Sequence, residues 1–509
     1  MSALPPSAAV AVFGAGAMGA GIAQVAAQAG HRVQLFDSRI NAAVDAKKKI
    51  GETFATLAGK GKLTDQAAKD AAARIEAVHA VGHVVSAKLV IEAIVEDLSI
   101  KRDLFHELEV VVADDAILAT NTSSLSVTAL ATGLRCPKRL VGMHFFNPAP
   151  ILPLVEVVSG LATDRGVAET IYDTAKAWGK TPVHAMSTPG FIVNRCARPF
   201  YAEGLRLLAE RAADPATIDA VMRDAGGFRM GPFELMDMIG HDVNFAVTKS
   251  VWEAYFHDAR FTPSVVQQEL VAAGYLGRKS GRGFYDHAKE ATVISPRTEP
   301  PRPCPQRVVA YGDLGFANAL VDRIAALGVP LERAERRPGV PSGVIAAGGA
   351  WLALSDGRTA TGRGTEGVRD LVLFDLALDY HAAKRLAVAR ADTCSDAAFG
   401  AAVGLLQAAG IAVSPIDDVA GLPVLRTVAM LVNEAADAVV QGIASASDID
   451  LAMQMGVNYP RGPLAWGDDI GCAFINEVLV NLIAHYGDAR YRISPLIARR
   501  CAAGAPLLS

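Results

Sequence analysis

The sequence of 509 residues predicts an α/β domain with a mainly parallel sheet, an all-α domain after it, and a second, degraded copy of both. Three observations support this fold class. Short apolar runs alternate with helical stretches through residue 186, which is typical of strand–helix–strand units. Helical patterns alone continue to residue 286. After residue 306, parts of the sequence resemble earlier parts, and the matching residues differ in number by a constant offset.

The composition is that of a large globular protein. Hydrophobic residues make up 51% and charged residues 20% of the chain, and the net charge of −4 gives no basic footprint for nucleic acid. The sequence contains no uncharged apolar run of about 18 residues, so it predicts no membrane span. The six cysteines are scattered without a CxxC pair, so we expect no metal site, no disulfide framework and a reducing cytoplasm.

A nucleotide-binding turn is predicted near the N-terminus. The apolar run 8–13 reads as a buried strand, and Gly14, Gly16 and Gly19 follow it in GxGxxG spacing before a helical stretch. In such a Rossmann-type turn the glycines permit the tight bend, the close approach of a pyrophosphate and the close packing of helix on strand.

The next predicted strand ends at Asp37, where a dinucleotide fold places its acidic residue. A carboxylate there can accept hydrogen bonds from the adenosine ribose hydroxyls and would repel a 2′-phosphate. The sequence therefore favours NAD as cofactor, while Arg39 keeps NADP open as an alternative.

A helical pair interrupts the α/β pattern at about residues 40–75. Its turn contains Lys60 and Lys62. The pair could form a lid or a substrate-binding arm, and the two lysines could equally belong to a solvated basic turn on the surface.

Polar residues follow two later strands of the predicted sheet. Glu96 follows the strand predicted at 89–95, and Ser123 follows the strand predicted at 117–120. The carboxyl ends of such strands carry the chemistry of these folds. Ser123 could bind a substrate oxygen or a nicotinamide, or it could only cap the helix that follows.

An apolar hairpin is predicted at 140–158. If the chain reverses near Pro150, residues whose numbers sum to 300 face each other, and His144 and Glu156 are such a pair. A carboxylate opposite an imidazole orients the ring and stabilises its charged form, as a histidine acid/base requires. Taken alone, such a pair is more often a polar pair of the core.

The first α/β domain is predicted to span residues 1–186 and the first helical domain residues 187–286. The start signal at 187–190 places Asn194 in the first turns of a helix. A proline-rich linker is predicted at 287–306.

An offset of 231 aligns Gly190–Gly240 with Gly421–Gly471 without a gap, and 13 of these 51 positions are identical. This indicates an internal duplication. We expect residues 307–412 to form a shortened α/β remnant and residues 413–509 a second helical domain. That domain should pack on the first, as two identical domains would across a dimer.

The predicted second copy has lost the polar residues singled out above. Under the same offset, aspartate, alanine and leucine take the places of the histidine, the glutamate and the asparagine. We therefore expect one active site per chain. The residues concerned are Asp375 for His144, Ala387 for Glu156 and Leu425 for Asn194.

Five motifs between residues 7 and 286 together resemble the 3-hydroxyacyl-CoA dehydrogenase family in order and spacing. They are Asn121-Thr122-Ser123-Ser124-Leu125, His144-Phe145-Phe146-Asn147-Pro148, Leu154-Val155-Glu156-Val157, Pro189-Gly190-Phe191-Ile192-Val193-Asn194-Arg195 and Met230-Gly231-Pro232-Phe233. The resemblance implies NAD-dependent oxidation of a (3S)-3-hydroxyacyl-CoA. Oxidising a secondary alcohol needs a base for the hydroxyl proton, and a histidine beside a carboxylate fits that need.

The resemblance also assigns roles to residues. His144 would be the catalytic acid/base with Glu156 as its partner, and Ser123 and Asn194 would position the substrate. The positions expected near the nucleotide are Asp37, Glu96, Lys101 and Asn147, and those expected near coenzyme A are Lys60 and Lys62.

Within the family, a duplicated chain of this length favours 3-hydroxyadipyl-CoA of phenylacetate breakdown, with 3-hydroxybutyryl-CoA as the alternative. A few arginines could recognise a terminal carboxylate, although for any one of them a surface or interface role is the more common case: Arg195, Arg198, Arg229 and Arg461. A non-enzymatic NAD-binding structural protein is the alternative of another class, and the retained catalytic set argues against it. We expect a monomer with pseudo-dimeric helical domains or a homo-oligomer.

Overall fold

A computed structural model describes residues 2–290, 292–335 and 342–508. The chain forms two compact units. The first contains Met1–Arg195 and Gln441–Val457, and the second contains Cys196–Val440 and Asn458–Ser509. Part of the predicted α/β remnant, residues 336–341, lies outside the described residues.

The strands of the described residues are β1 Ala9–Phe13, β2 Val33–Phe36, β3 Ile75–Ala77, β4 Ala87–Glu92, β5 Ile117–Thr120, β6 Leu140–Phe145, β7 Leu154–Ser159, β8 Thr181–Met186, β9 Val308–Tyr311, β10 Leu331–Ala334, β11 Val344–Ala347, β12 Ala350–Leu354, β13 Leu371–Phe374, β14 Arg385–Arg390 and β15 Ala412–Pro415.

The α-helices of the described residues are α1 Ala17–Gln28, α2 Ala42–Gly59, α3 Asp65–Ala73, α4 Leu98–Val111, α5 Val127–Leu130, α6 Arg165–Ala177, α7 Val193–Cys196, α8 Arg198–Ala209, α9 Pro215–Asp224, α10 Pro232–Ile239, α11 His241–Ala254, α12 Val265–Ala272, α13 Asn318–Ala326, α14 Ala360–Gly364, α15 Asp396–Ala408, α16 Pro423–Val440, α17 Ala446–Val457, α18 Pro463–Ile470, α19 Cys472–Tyr486 and α20 Pro495–Ala503.

The first unit is built on one sheet with the strand order β3-β2-β1-β4-β5-β6-β7-β8. Every neighbouring pair is parallel except β6 and β7, which are antiparallel. Its central strands are mostly buried and mostly apolar, as expected for a parallel sheet covered on both faces. This sheet fixes the positions of the strand ends that carry the polar residues.

The β6–β7 hairpin has the predicted register. His144 lies opposite Glu156, and its neighbours Met143 and Phe145 lie opposite Val157 and Val155. The turn of the hairpin contains a cis peptide bond between Asn147 and Pro148. The sequence prediction of which residues face each other is confirmed.

A buried lysine ties this turn to the sheet. The Lys180 ammonium, just before β8, donates to the carbonyl oxygens of Ala149 and Leu152. Burial lowers the pKa of Lys180. No sequence pattern pointed to this residue, because its partners lie about 30 positions away.

Two predicted element bounds were wrong. The strand predicted at 89–95 ends at Glu92, because the chain then turns beside the β1–α1 loop, where a Cβ added at Gly14 would lie 2.4 Å from the Ala93 oxygen. The helix whose start signal was predicted at 187–190 begins only at Val193, and Asn194 lies in its first turn as expected. The helix follows a turn in which Phe191 has a φ of 46°.

The first unit is completed by α17 from the C-terminal half of the chain. This helix packs on β7 and β8, and a Cβ added at Gly456 would lie 2.6 Å from Leu154 Cδ2. The Met186 amide donates to the Ile443 oxygen just before the helix. The sequence had grouped these residues with a separate domain at 413–509.

The second unit contains a mixed sheet with the order β10-β9-β11-β12-β13-β14-β15. Strand β11 runs antiparallel to both of its neighbours, β9 and β12. Strand β15 continues to Pro415, three residues beyond the predicted end of this region at residue 412.

The helices on either side of this sheet in the sequence pack together within the second unit, and buried ion pairs join them. The Arg426 guanidinium of α16 pairs with Glu203 of α8 at 2.8 Å, and both side chains are fully buried. Arg260 pairs with Glu434 at 2.9 Å. Such pairs fix a packing geometry because an unpartnered buried charge is strongly unfavourable.

Among the described helices, none is long and apolar enough to cross a membrane.

Candidate active site

The centre of the candidate site is a buried histidine–glutamate pair. His144 Nδ1 lies 2.6 Å from Glu156 Oε2, and the two residues are 5% and 1% exposed. The other Glu156 oxygen accepts hydrogen bonds from the backbone amides of Ile192 and Val193, both at 3.0 Å. The carboxylate is therefore fixed from two sides and holds the imidazole in one orientation.

This pair faces a cavity of about 350 Å³ whose walls include Ser123 and Asn194. The Asn194 amide nitrogen lies 3.5 Å from the Ser123 carbonyl oxygen. The rings of Phe146 and Phe191 pack on the imidazole at centroid distances of 4.5 and 5.8 Å. The structure thus brings all four predicted catalytic residues to one place.

Glu96 organises the loop that carries Ser123. Its Oε1 accepts hydrogen bonds from the backbone amides of Ser123 and Ser124 and from the hydroxyls of Thr122 and Ser124. Burial alone would raise the pKa of Glu96, but the Lys101 ammonium and these hydroxyls lower it below its ordinary value. Glu96 therefore stays ionised and holds the loop.

Behind Glu96 lies a buried charge network, in which Glu96 and Lys101 were singled out from the sequence but Glu92 was missed. The Lys101 ammonium is 2.6 Å from Glu92 and 3.0 Å from Glu96, and the side chains of Lys101 and Glu92 are essentially inaccessible. Glu92 also accepts from the Thr120 hydroxyl and the Ile94 amide. A glutamate inside an otherwise apolar strand was the signal that could have identified it.

The β1–α1 turn has the shape of a dinucleotide cradle. A Cβ at Gly19 would lie 1.8 Å from the Gly14 oxygen, whereas a Cβ at Gly16 would meet nothing within 4 Å. The helix thus packs against the turn while the space before its N-terminus stays open, as a pyrophosphate requires. Gly14 and Gly16 line a cavity of about 700 Å³ together with Asp37.

Asp37 closes this cradle at the end of β2. Its carboxylate accepts from the Ala15 amide at 2.7 Å and pairs with the Arg39 guanidinium through two hydrogen bonds of 3.0 Å. The Arg39 guanidinium holds the pKa of Asp37 down at about 2. Arg39 thus pairs with the acidic residue that was predicted from the sequence to bind the ribose.

The remaining predicted residues fall into two groups. Asn147 and Lys101 line the cavity that contains His144. Lys60 and Lys62 are exposed at the end of the α2–α3 hairpin and line neither cavity. Among the described residues, no group of three or more His, Cys, Asp or Glu could hold a metal ion.

The position 231 residues after His144, at the end of β13 in the second sheet, holds a different arrangement. Asp375 follows β13, is fully buried and accepts hydrogen bonds from the Val424 and Leu425 amides at the start of α16. Burial raises its pKa to about 7, against the effect of these amides. A carboxylate holds the start of a helix here too, but no imidazole is present, because Asp375 and Ala387 stand 231 positions after His144 and Glu156.

Comparisons with known proteins agree with these observations. Residues 9–188 match the family model described as 3-hydroxyacyl-CoA dehydrogenase, NAD binding domain. The model for the C-terminal domain of 3-hydroxyacyl-CoA dehydrogenase matches twice, at 190–287 and 421–506. Residues 352–419 match a 3-hydroxybutyryl-CoA dehydrogenase reduced Rossmann-fold domain.

Full-length relatives are also similar. The 3-hydroxyadipyl-CoA dehydrogenase of Escherichia coli K12 is 43% identical over 491 residues, which cover 96% of this chain and 97% of that protein. A probable 3-hydroxybutyryl-CoA dehydrogenase of Deinococcus radiodurans is 41% identical over 54% of this chain and 99% of its own length. A crystal structure described as 3-hydroxybutyryl-CoA dehydrogenase from Escherichia coli K12 has 42% identity, covers 98% of both chains and superposes with a TM-score of 0.88.

Proposed function

The chain belongs to the 3-hydroxyacyl-CoA dehydrogenase family, an NAD-dependent oxidoreductase family, and from this premise we propose how its own residues carry the reaction. The observation that carries the proposal is the buried His144–Glu156 pair facing one cavity with Ser123 and Asn194.

His144 acts as the acid/base. Its Nδ1 is engaged by Glu156, so Nε2 is the nitrogen that takes the proton of the C3 hydroxyl during oxidation. Glu156 stabilises the imidazolium that forms, and its own position is set by the Ile192 and Val193 amides. In the reverse direction the protonated ring returns this proton to the carbonyl oxygen.

Ser123 and Asn194 hold the reacting oxygen beside the imidazole. Glu96 fixes the Ser123 loop, and Glu92 with Lys101 fixes Glu96. Positioning of this kind contributes to catalysis because the reacting groups need no further ordering when substrate binds.

The β1–α1 turn binds NAD, with Gly14, Gly16 and Gly19 at the pyrophosphate and Asp37 at the adenosine ribose. The bound dinucleotide supplies the hydride acceptor. Lys101 and Asn147 stand on the nicotinamide side of the site because they line the cavity that contains His144.

The substrate is a (3S)-3-hydroxyacyl-CoA, and we propose 3-hydroxyadipyl-CoA of phenylacetate breakdown. The support is the relative of that name, which matches along almost the whole chain. The 3-hydroxybutyryl-CoA reaction is the second candidate, favoured by the description of a solved structure with a TM-score of 0.88. The coenzyme A moiety is assigned to the α2–α3 arm with Lys60 and Lys62.

Initial rates of NADH consumption with 3-oxoadipyl-CoA and acetoacetyl-CoA test this assignment. We expect kcat/KM to be higher for the six-carbon substrate. A higher value for acetoacetyl-CoA would make the butyryl reaction the function. No turnover of either would favour an NAD-binding structural protein, which the retained catalytic set argues against.

We further propose that the chain is an internal duplication with a degenerate second copy. Helices α10 and α18 begin and end 231 residues apart, and α9 and α17 begin 231 apart. Strands β13 and β14 pair in the register of β6 and β7 after the same offset. The repeated match of the C-terminal domain model supports the same conclusion.

We propose that the duplicated chain evolved from five segments, with the bounds predicted from the sequence. These segments are residues 1–186, 187–286, 287–306, 307–412 and 413–509. We propose that the two helical sets form a pseudo-dimer within one chain, in support of which Arg426 of the later set pairs with Glu203 of the earlier. A cytoplasmic location is proposed because none of the six cysteines, all of which are described, forms a disulfide, the state that reducing compartments maintain.

A further inference from the structure

Asp37, the acidic residue of the nucleotide cradle, is fully hydrogen-bonded. Its carboxylate accepts from the backbone amides of Ala15 at 2.7 Å and Arg39 at 2.9 Å, and twice from the Arg39 guanidinium at 3.0 Å. An ionised carboxylate offers about four acceptor positions in all. Ribose hydroxyls can therefore reach both oxygens of Asp37 only when the Arg39 guanidinium has moved away.

The Arg39 guanidinium can leave this carboxylate at little cost. The Arg39 side chain is 70% exposed, whereas that of Asp37 is 8% exposed. A pair with one exposed partner adds little to stability, because water replaces the hydrogen bonds that are lost. The backbone amides of Ala15 and Arg39 do not depend on the guanidinium and keep the carboxylate in place. Asp37 is thus the fixed partner and the guanidinium the movable one.

Arg39 is the one cation among the described residues that line this cavity of about 700 Å³. Besides Asp37, the wall contains the carboxylates of Asp103 and Glu107 on α4. Both of these residues are exposed, so water and salt screen their charges. The wall as a whole has an excess of negative charge, which accounts for a preference for NAD. At the position of Asp37 itself, however, the guanidinium balances the charge.

The Asp37–Arg39 pair changes what a 2′-phosphate on the adenosine ribose would encounter. A bare carboxylate accepts hydrogen bonds from the ribose hydroxyls and repels a phosphate, whereas a nearby arginine accommodates the phosphate. Here the carboxylate is already neutralised by a guanidinium that presents two donors to it. The same planar fork fits two phosphate oxygens. The two side chains therefore suit both forms of the ribose.

We propose that Arg39 gives the cofactor site a second specificity, for the 2′-phosphorylated dinucleotide NADPH, beside its preference for NADH. With NADH, the guanidinium leaves Asp37 to the ribose hydroxyls. With NADPH, it stays beside Asp37 and binds the phosphate. The inference rests on the proposed position of NAD at the β1–α1 turn.

Fluorescence titrations with NADPH and NADH test this inference by binding alone, without turnover. The wild-type protein should bind NADPH at most about a hundredfold more weakly than NADH. Arg39→Met should weaken NADPH binding by about tenfold or more, as expected for loss of hydrogen bonds between charged groups. Its NADH affinity should stay unchanged or rise, because Asp37 is then open to the ribose. Arg39→Lys keeps the charge without the fork and should weaken NADPH binding less.

Arg32→Met is the matched control. The Arg32 side chain lies just before β2, is 61% exposed and pairs with Glu76, and it is not among the described residues that line the cavity. The variant removes the same charge from the opposite end of the same strand, so both dinucleotides should bind as they do to the wild type.

Asp37→Asn is the reciprocal variant. It removes the carboxylate and leaves the Arg39 guanidinium without its anion, so NADPH should bind more tightly and NADH more weakly than to the wild type. A change in the same direction for both dinucleotides would contradict the division of roles between the two side chains.

The inference is overturned if the wild type binds NADH but shows no NADPH binding at about a hundredfold higher concentration. It is also overturned if Arg39→Met leaves NADPH binding unchanged, or if it weakens the binding of both dinucleotides equally. Wild-type protein that binds neither dinucleotide would contradict the proposed cofactor position, and the inference would fall with it.

Discussion

At the scale of single residues, the two oxygens of Glu156 act on different partners. One holds His144 and the other holds the start of α7 through the Ile192 and Val193 amides. The imidazole orientation and the position of Asn194 on that helix are therefore set by one carboxylate.

Replacing His144 by glutamine should lower kcat by about 100- to 10,000-fold, because the proton of the hydroxyl then has no base. NADH binding, followed by fluorescence, should be retained. His184→Gln, a change at a half-exposed histidine of β8, is the control and should leave kcat unchanged. Turnover in His144→Gln near that of the wild type would disprove the assignment of the base.

The buried and exposed lysine–carboxylate pairs of the first unit offer a second test. Glu92→Gln should lower the free energy of unfolding by about 3 kcal/mol, because it leaves the buried Lys101 without one of its two carboxylates. Asp115→Asn, in the exposed pair with Lys88, should cost less than about 1 kcal/mol. Urea denaturation measures both, and equal losses would contradict a special role for Glu92.

The sequence predicted the His144–Glu156 pair because a hairpin converts sequence spacing directly into facing positions. It missed Glu92 and Lys180 for the opposite reason. Their partners lie on other strands or turns, and no local periodicity reports a contact of that kind.

At the scale of elements, helices α1 and α2 contain glycines with opposite surroundings. Gly19→Ala would place a Cβ 1.8 Å from the Gly14 oxygen and should weaken NAD binding by more than tenfold by moving the helix. Gly51→Ala meets nothing within 4 Å. It should raise stability by about 0.5–1 kcal/mol, since alanine favours a helix interior.

Isothermal titration with NAD and thermal unfolding of both variants make this comparison. Unchanged NAD affinity in Gly19→Ala would show that the close packing of α1 on the turn is not needed for binding.

The Asp375 carboxyl, which holds the start of α16, should make the free energy of unfolding depend on pH. Because the folded-state pKa of about 7 lies above the ordinary value, the protonated form is favoured in the folded protein. The stabilising contribution is complete at low pH, is lost as pH rises towards 7 and is absent above it. Asp375→Asn should therefore be more stable relative to the wild type at pH 8 than at pH 5, by up to a few kcal/mol.

Urea midpoints of wild type and Asp375→Asn at the two pH values test this. A difference between the proteins that is constant with pH would mean that Asp375 does not titrate in this range.

One short strand, β5, was predicted to the residue, because its apolar run ends at polar residues. The end of β4 was misplaced since the apolar run continues past Glu92 into the loop beside Gly14. Hydrophobicity alone does not distinguish a buried strand from a buried loop.

At the scale of the whole molecule, the second sheet leads to a prediction of how many NADH molecules bind to each chain. The segment after β9 has no complete GxGxxG, and an aspartate, Asp375, stands 231 positions after His144. We expect one NADH bound per chain in a fluorescence titration against protein of known concentration. Two equivalents per chain would contradict the degeneracy of the second copy.

The sequence indicated the order of domains at this scale but not the unit to which α17 belongs. A constant offset between repeats indicates only which segments share an origin. The packing of α17 on β7 and β8 depends instead on side chains such as Leu154, which lie nearly 300 positions earlier.

This placement of α17 has a consequence for synthesis on the ribosome. The sheet of the first unit is complete once Met186 has emerged, yet the helix that covers β7 and β8 follows after about 260 further residues. At the usual rate of about 5–20 residues per second, these apolar strands wait well over ten seconds for their cover. Chaperones that bind nascent chains therefore have a defined surface to protect, and a chain truncated before residue 446 exposes it permanently.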